Sequence, residues 1–241
     1  MILVAHGAHV EKFQEVLDLA NQMGVPVKTA DRKELDAMAH GHTHGGMIAL
    51  AGPKPRLNGE QVVEMVERLR KPAMLLLIEG VEDARNLGFT LRSAEALGAH
   101  AVLIKKHLWD LDATEIARPA SGAYERLPLA QIDTTEPLVK LKRMKVRLFG
   151  CIAGARRTIY DVNLKQSCIL AIGGEKRGLS GAVREICDRF VTIPAVAEGA
   201  SLSLSHAACI VMGEAMRQRL GRDGEAGSGG DRGTGEEVVS S

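Results

Sequence analysis

Apolar positions along the chain alternate between two periods, and the alternation outlines the elements. Ile2-Leu-Val-Ala5 is a short apolar run that predicts a strand. Val10, Phe13, Val16, Leu17 and Ala20 follow at helical spacing and predict a helix over residues 10–23, which Gly24 ends. Val25-Pro-Val-Lys28 reads as a second strand. Asp31 then opens a helix over 32–39, with Glu34 at the capping-box position, and Met47 begins a third strand over 47–51. These elements form a small β-α-β-α-β unit. Pro53, Pro55 and Gly59 mark a linker, a charged helix spans 60–70, and Lys71-Pro72 closes it. From Ala73 the pattern becomes strongly α/β. Strands are expected at 73–78, 101–104, 147–152, 168–172 and 190–193, and helices at 87–97, 138–144, 180–187 and 205–220. Such alternation predicts an α/β fold built on a parallel sheet with helices on both faces. The expected organisation is a small α/β domain at 1–52, a linker and helix at 53–72, the larger α/β domain at 73–220, and a Gly-rich acidic tail at 221–241 too polar to fold.

Composition narrows the function classes. The longest clean apolar run, Ala73 to Ile78, is far too short to cross a bilayer. No basic and apolar leader opens the chain, so no membrane partner and a cytoplasmic location are expected. The four cysteines lack any Cys-x-x-Cys spacing, which points to reduced thiols acting as small apolar residues. His40, His42 and His44 lie in a Gly-rich loop at a spacing that matches no standard zinc site, so no metal is expected. The net charge of +1 conceals a −3 tail at 221–241 and a +4 body. No acid occurs between Glu136 and Asp161, whereas Lys140, Lys142, Arg143, Lys145, Arg147, Arg156 and Arg157 do. That stretch reads either as a solvated helix face or as an anion-binding surface.

Three segments carry candidate chemistry. Gly173-Gly-Glu-Lys-Arg-Gly178-Leu-Ser180 joins a strand to a helix and exposes backbone N–H groups. It imitates a P-loop, but Leu179 occupies the slot of the phosphate-binding lysine, which argues against an NTPase. Asn86-Leu-Gly-Phe-Thr-Leu-Arg92 opens another helix, where Asn86 reads equally as a cap and Arg92 as an anion contact. Ser201-Leu-Ser203-Leu-Ser205-His206 follows the last strand, either as a Ser-rich helix start or as part of an adenosine pocket.

Taken in order, Glu79 to Ala94, Leu170 to Ser180, and Val191-Thr-Ile-Pro194 with Ser201 to Ala208 resemble the three signature motifs of the SpoU/TrmH-type RNA ribose 2′-O-methyltransferases of the SPOUT superfamily. The segment Ser121-Gly-Ala123 with Leu127-Pro128 also looks like a family feature. Residues 1–51 are similar to the ribosomal-protein-like substrate-binding domain that precedes many such enzymes, in a form lacking its first helix. The resemblance implies a deep C-terminal trefoil knot, a homodimer, and S-adenosylmethionine bound by knot loops. By position, the loops hold it through Ala153, Gly154, Ile172, Gly173, Gly174, Ile193, Ser201 and Leu202. It also implies functional roles for Asn86, Arg92, Glu175, Ser201 and Ser203. At Ser203 the chain departs from the family's usual asparagine, which exchanges an amide for a hydroxyl. The substrate implied is RNA, with a large-subunit rRNA guanosine ahead of tRNA, and the alternative is a non-catalytic assembly protein of the same fold. With only seven aromatic residues, recognition is expected to rest on phosphate and shape contacts. The expected RNA surface includes Lys140, Lys142, Arg143, Lys145, Arg156 and Arg157.

Overall fold

The structure is a computed structural model describing residues 1–41, 43–105, 111–174, 176–197 and 201–221. It divides into two compact units, Met1–Lys54 and Pro55–Ser241.

In the first unit, β1 (Ile2–Ala5) is central, with β2 (Val27–Ala30) parallel on one side and β3 (Met47–Ala49) antiparallel on the other. All four β1 residues are buried because both faces of the strand are covered. Leu3 and Ala5 pack with Leu35 of α2 (Arg32–Met38), while Ile2 and Val4 pack with Ala20 of α1 (Gln14–Gln22). A short 3-10 turn, Val10–Phe13, leads into α1, so the expected single helix is two pieces. The second strand starts two residues later than expected, because the Val25 N–H is still bonded to Ala20 O at the end of α1. Asp31 precedes α2, but its side chain makes no cap bond, so the expected capping box is absent there. A true capping box forms instead between Asn58 and Gln61, at the start of α3 (Gly59–Glu67).

The second unit is built on a six-stranded, all-parallel sheet. Its strands are β4 (Met74–Ile78), β5 (Ala101–Lys105), β6 (Leu129–Ile132), β7 (Arg147–Cys151), β8 (Cys168–Ile172) and β9 (Arg189–Val191). Their spatial order is β6-β5-β4-β8-β7-β9, so β8 inserts between β4 and β7 although it follows both in sequence. The continuous apolar runs of β4 and β8 are explained by this central position, where both faces meet helices. Met74, Leu76 and Ile78 pack with α4 (Ala84–Ala96), α5 (Ala113–Ala120) and α9 (Leu204–Leu220). Leu75 and Leu77 face α3, α7 (Glu136–Arg143) and α8 (Gly181–Ile186). The sequence pattern did not resolve β6, α5 or the one-turn α6 (Ala123–Arg126). Because every strand is parallel, the segments leaving β4, β7, β8 and β9 emerge at one edge, where open α/β sheets place their ligands.

Candidate active site

Two neighbouring cavities open at that edge. The larger, of about 440 Å³, is walled by Ile152 and Ala153 after β7, by Ile172, Gly173 and Gly174 after β8, and by Thr192 and Ile193 after β9; Ser201 and Leu202 also line it. Its size is that of a site for a nucleoside-sized ligand. The β8 turn closes on itself through Gly178 N–H to Gly174 O (2.8 Å), and the glycines are required by this closeness. A Cβ on Gly173 would lie 2.0 Å from the Gly178 carbonyl carbon, and one on Gly174 would lie 2.3 Å from Gly80 O. Seven of the eight residues expected to hold a cofactor share this cavity; Gly154, with φ +72°, turns the chain beside Ala153 and is not part of the wall. A backbone cradle that admits no side chain, with Ile172, Ile193 and Leu202 as apolar flanks, fits an adenosyl group.

The smaller cavity, of about 260 Å³, shares the Gly174 wall and is lined by Gly80, Asp83, Asn86, Lys176, Arg177 and Leu204. Asp83, not Asn86, caps α4, through Oδ1 accepting from Arg85 N–H (2.7 Å). The Asn86 amide is therefore available to the cavity, and its Oδ1 accepts from Ser205 Oγ (3.2 Å). Ser205 Oγ lies 3.1 Å from Ser203 Oγ, and Ser203 Oγ lies 2.6 Å from His206 Nδ1. Ser203 also caps α9 by accepting from His206 N–H. The Asn86–Arg92 and Ser201–His206 segments singled out in the sequence are thus joined by one hydrogen-bonded chain from Asn86 to His206.

Other expected residues lie apart. Arg92 is exposed and lines neither cavity, and its side chain makes no hydrogen bond or ion pair among the described residues. Glu175 lies outside the described residues. The acid-free stretch does not form one surface. Lys140 pairs with Glu60 (2.6 Å) and Lys142 with Asp188 (3.0 Å). Arg143 and Lys145 precede β7, whereas Arg156 and Arg157 follow it, and the five-residue strand separates the two groups by about 16 Å. Only Arg156 and Arg157 lie at the cavity edge, where Arg157 O accepts from Thr192 N–H (2.9 Å).

The thiols differ from a uniform buried set. Cys168 is buried, Cys151 and Cys187 are half-buried, and Cys209 is exposed. Burial pushes the Cys151 thiol up to about 12 and those of Cys168 and Cys187 to about 11, so all three stay protonated and unreactive at neutral pH. His44 accepts from Gly46 N–H at Nδ1 (3.2 Å) and faces Asp36 through Nε2 (2.9 Å), an arrangement that braces its loop.

Sequence reasoning missed Glu79 and Lys105. Glu79 is buried at the end of β4 and accepts from Lys105 Nζ (2.9 Å). The available signal was an acid directly after a fully apolar strand, since carboxylates are buried only when partnered.

Residues 73–213 match the SpoU rRNA methylase family, and residues 1–57 match the RNA 2′-O ribose methyltransferase substrate-binding domain. The 23S rRNA (guanosine-2′-O-)-methyltransferase RlmB of Pseudomonas aeruginosa is 33% identical over 220 residues, covering 90% of this chain and 87% of that protein. RlmB of Vibrio vulnificus is 32% identical, with 90% and 88% covered. Among solved structures, the SpoU methyltransferase AviRb from Streptomyces viridochromogenes superposes with a TM-score of 0.76 at 24% identity, over 92% of this chain and 82% of that one. The AdoMet-bound rRNA methyltransferase from Sinorhizobium meliloti gives 0.75 at 17% identity, over 90% and 78%.

Proposed function

The chain belongs to the SpoU rRNA methylase family, and from that premise we propose that it methylates the ribose 2′-hydroxyl of a guanosine in large-subunit rRNA. The observation that carries this reading is the pair of cavities sharing the Gly174 wall, one a glycine-lined cradle and the other presenting the Asn86 amide. S-adenosylmethionine, when bound, supplies a methyl group already activated on a sulfonium. The protein's own task is therefore alignment and charge management. Gly173, Gly174, Ile172, Ile193 and Leu202 hold the adenosyl moiety, with Ala153, Gly154 and Ser201 completing the rim. Asn86, oriented by Ser205 and Ser203, holds the acceptor ribose. Arg92 acts electrostatically, its guanidinium stabilising the acceptor oxygen as the methyl group bonds to it and its proton passes to solvent. Arg177 in the smaller cavity, with Arg156 and Arg157 beside the larger one, supplies phosphate contacts, whereas Lys176 is paired with Glu82.

A homodimer is part of the proposal. Its support is Arg92 itself, which is exposed, unpartnered among the described residues and absent from both cavity walls, as expected of a group that reaches a site completed by a second copy. An rRNA substrate also supports a cytoplasmic location. The competing reading, a non-catalytic assembly protein, draws on Ser203 in place of the family's asparagine and on the N-terminal domain's resemblance to a shortened form. The hydroxyl's bonds to Ser205 and His206 weaken that case. Incubation with tritiated S-adenosylmethionine and separate rRNA and tRNA pools tests the reading. Label confined to large-subunit rRNA is expected; label confined to tRNA, or none with any pool, would overturn it.

A further inference from the structure

Glu79 is one of two buried carboxylates among the described residues, and no role in the proposed reaction has yet been given to it. Its bonds fall on the two ends of a single loop. Its backbone N–H donates to Ile172 O (3.0 Å), the last residue before the glycine turn. Its carboxylate accepts from Ser180 N–H (2.7 Å) and Ser180 Oγ (2.8 Å), the first residue after the turn. Lys105, at the end of the adjacent strand β5, donates to the carboxylate (2.9 Å) and to Ser180 Oγ (2.9 Å). Gly80, the next residue, lies directly against Gly174, the wall common to both cavities.

A buried ion pair is seldom the most stable filling for its space, because desolvation offsets its attraction and an apolar pair of the same volume often does better. It does specify geometry. Ser180 N–H and O–H must both meet one carboxylate, which fixes the direction in which the loop ends. We propose that Glu79, held by Lys105, is a positioning residue that staples the 173–179 loop at both ends and so sets the shape of the cofactor cradle. This inference rests on the methyltransferase reading above.

Calorimetric titration with S-adenosylmethionine, rRNA-fragment binding and thermal unfolding of full-length variants test it together. Glu79→Gln keeps the shape but turns one acceptor oxygen into a donor facing donors. Its Kd for S-adenosylmethionine is expected to rise about tenfold, as for loss of one charge-assisted hydrogen bond, while RNA affinity stays within about twofold. Lys105→Met acts through the same carboxylate, so it weakens cofactor binding alone and adds little in the Glu79→Gln background. Ser180→Ala leaves the buried pair intact and is expected to weaken cofactor binding about threefold, which keeps the test decisive should Glu79→Gln fold poorly. Cofactor affinity at the wild-type value in Glu79→Gln and Ser180→Ala would overturn the staple. So would cofactor and RNA affinities that fall in parallel with the melting temperature. A wild-type protein that binds no S-adenosylmethionine would overturn the functional reading itself, and the staple with it.

Discussion

Single side chains separate chemistry from scaffolding here, and Asn86 and Arg92 show how. Asp83 satisfies the start of α4, which frees Asn86 for the smaller cavity, and Ser205 fixes one face of its amide. Asn86→Ala is expected to lower methyl transfer at least about tenfold while leaving the melting temperature nearly unchanged, read by turnover beside calorimetry. Arg92 is exposed and carries no packing load, so Arg92→Ala should fold normally and bind S-adenosylmethionine normally. Its turnover should fall about a hundredfold or more, as when a single charge-stabilising donor is removed. Ser203 has two duties. Ser203→Ala should cost about 1 kcal/mol through loss of the α9 cap and should lower turnover by releasing Ser205. Ser203→Asn, which can still cap, separates those effects if it restores stability but changes rate. At this scale the sequence was informative wherever small residues were forced by closeness, as at Gly173 and Gly174. It was silent on Glu79, because a buried pair draws its partners from β5 and α8, far along the chain.

Among the elements, α9 is anchored by side-chain bonds at its C-terminal end. The Arg219 guanidinium donates to Leu164 O, Pro72 O, Ala73 O and Gln166 O at 2.9–3.1 Å, tying the helix end to the entry of β4 and the β7–β8 connection. Arg219→Ala leaves several carbonyls without a donor and should destabilise the second unit by about 2 kcal/mol in urea unfolding. Earlier in the same helix, Glu214 bonds Arg217 and Gln218, which hold its carboxyl below the usual carboxylate range. A carboxyl depressed in the folded state stabilises it at neutral pH and loses that contribution as pH falls through the carboxylate range. The melting temperature of wild type should therefore fall further from about pH 6 to about pH 3 than that of Glu214→Gln. The strands β4 and β8 were legible because they are central and apolar throughout. β6 was not, since Leu129-Ala-Gln-Ile132 is four residues with one polar position, and its pairing to β5 is fixed only in three dimensions.

For the whole molecule, the parallel sheet converts four separate sequence segments into one edge, which is why motifs more than a hundred residues apart line adjoining cavities. Alternation predicted the layers, but the order β4-β8-β7 could not be read from it, because local spacing carries no information about which strand inserts where. The acid-free stretch was misleading in the same way: contiguity in sequence put Lys145 and Arg156 together, and the strand between them sends them to opposite ends of the sheet. With only a few free cations at the cavity edge among the described residues, RNA binding should be modest and its salt slope shallow, which filter binding across a salt series measures. Removing residues 221–241, whose net charge is −3, should not weaken that binding. The central claim is most directly tested by mapping 2′-O-methyl groups on rRNA from cells lacking the gene. One guanosine of the large-subunit rRNA should lose its ribose methyl group and regain it with the wild-type gene but not with Arg92→Ala. An unchanged methylation map would contradict the account.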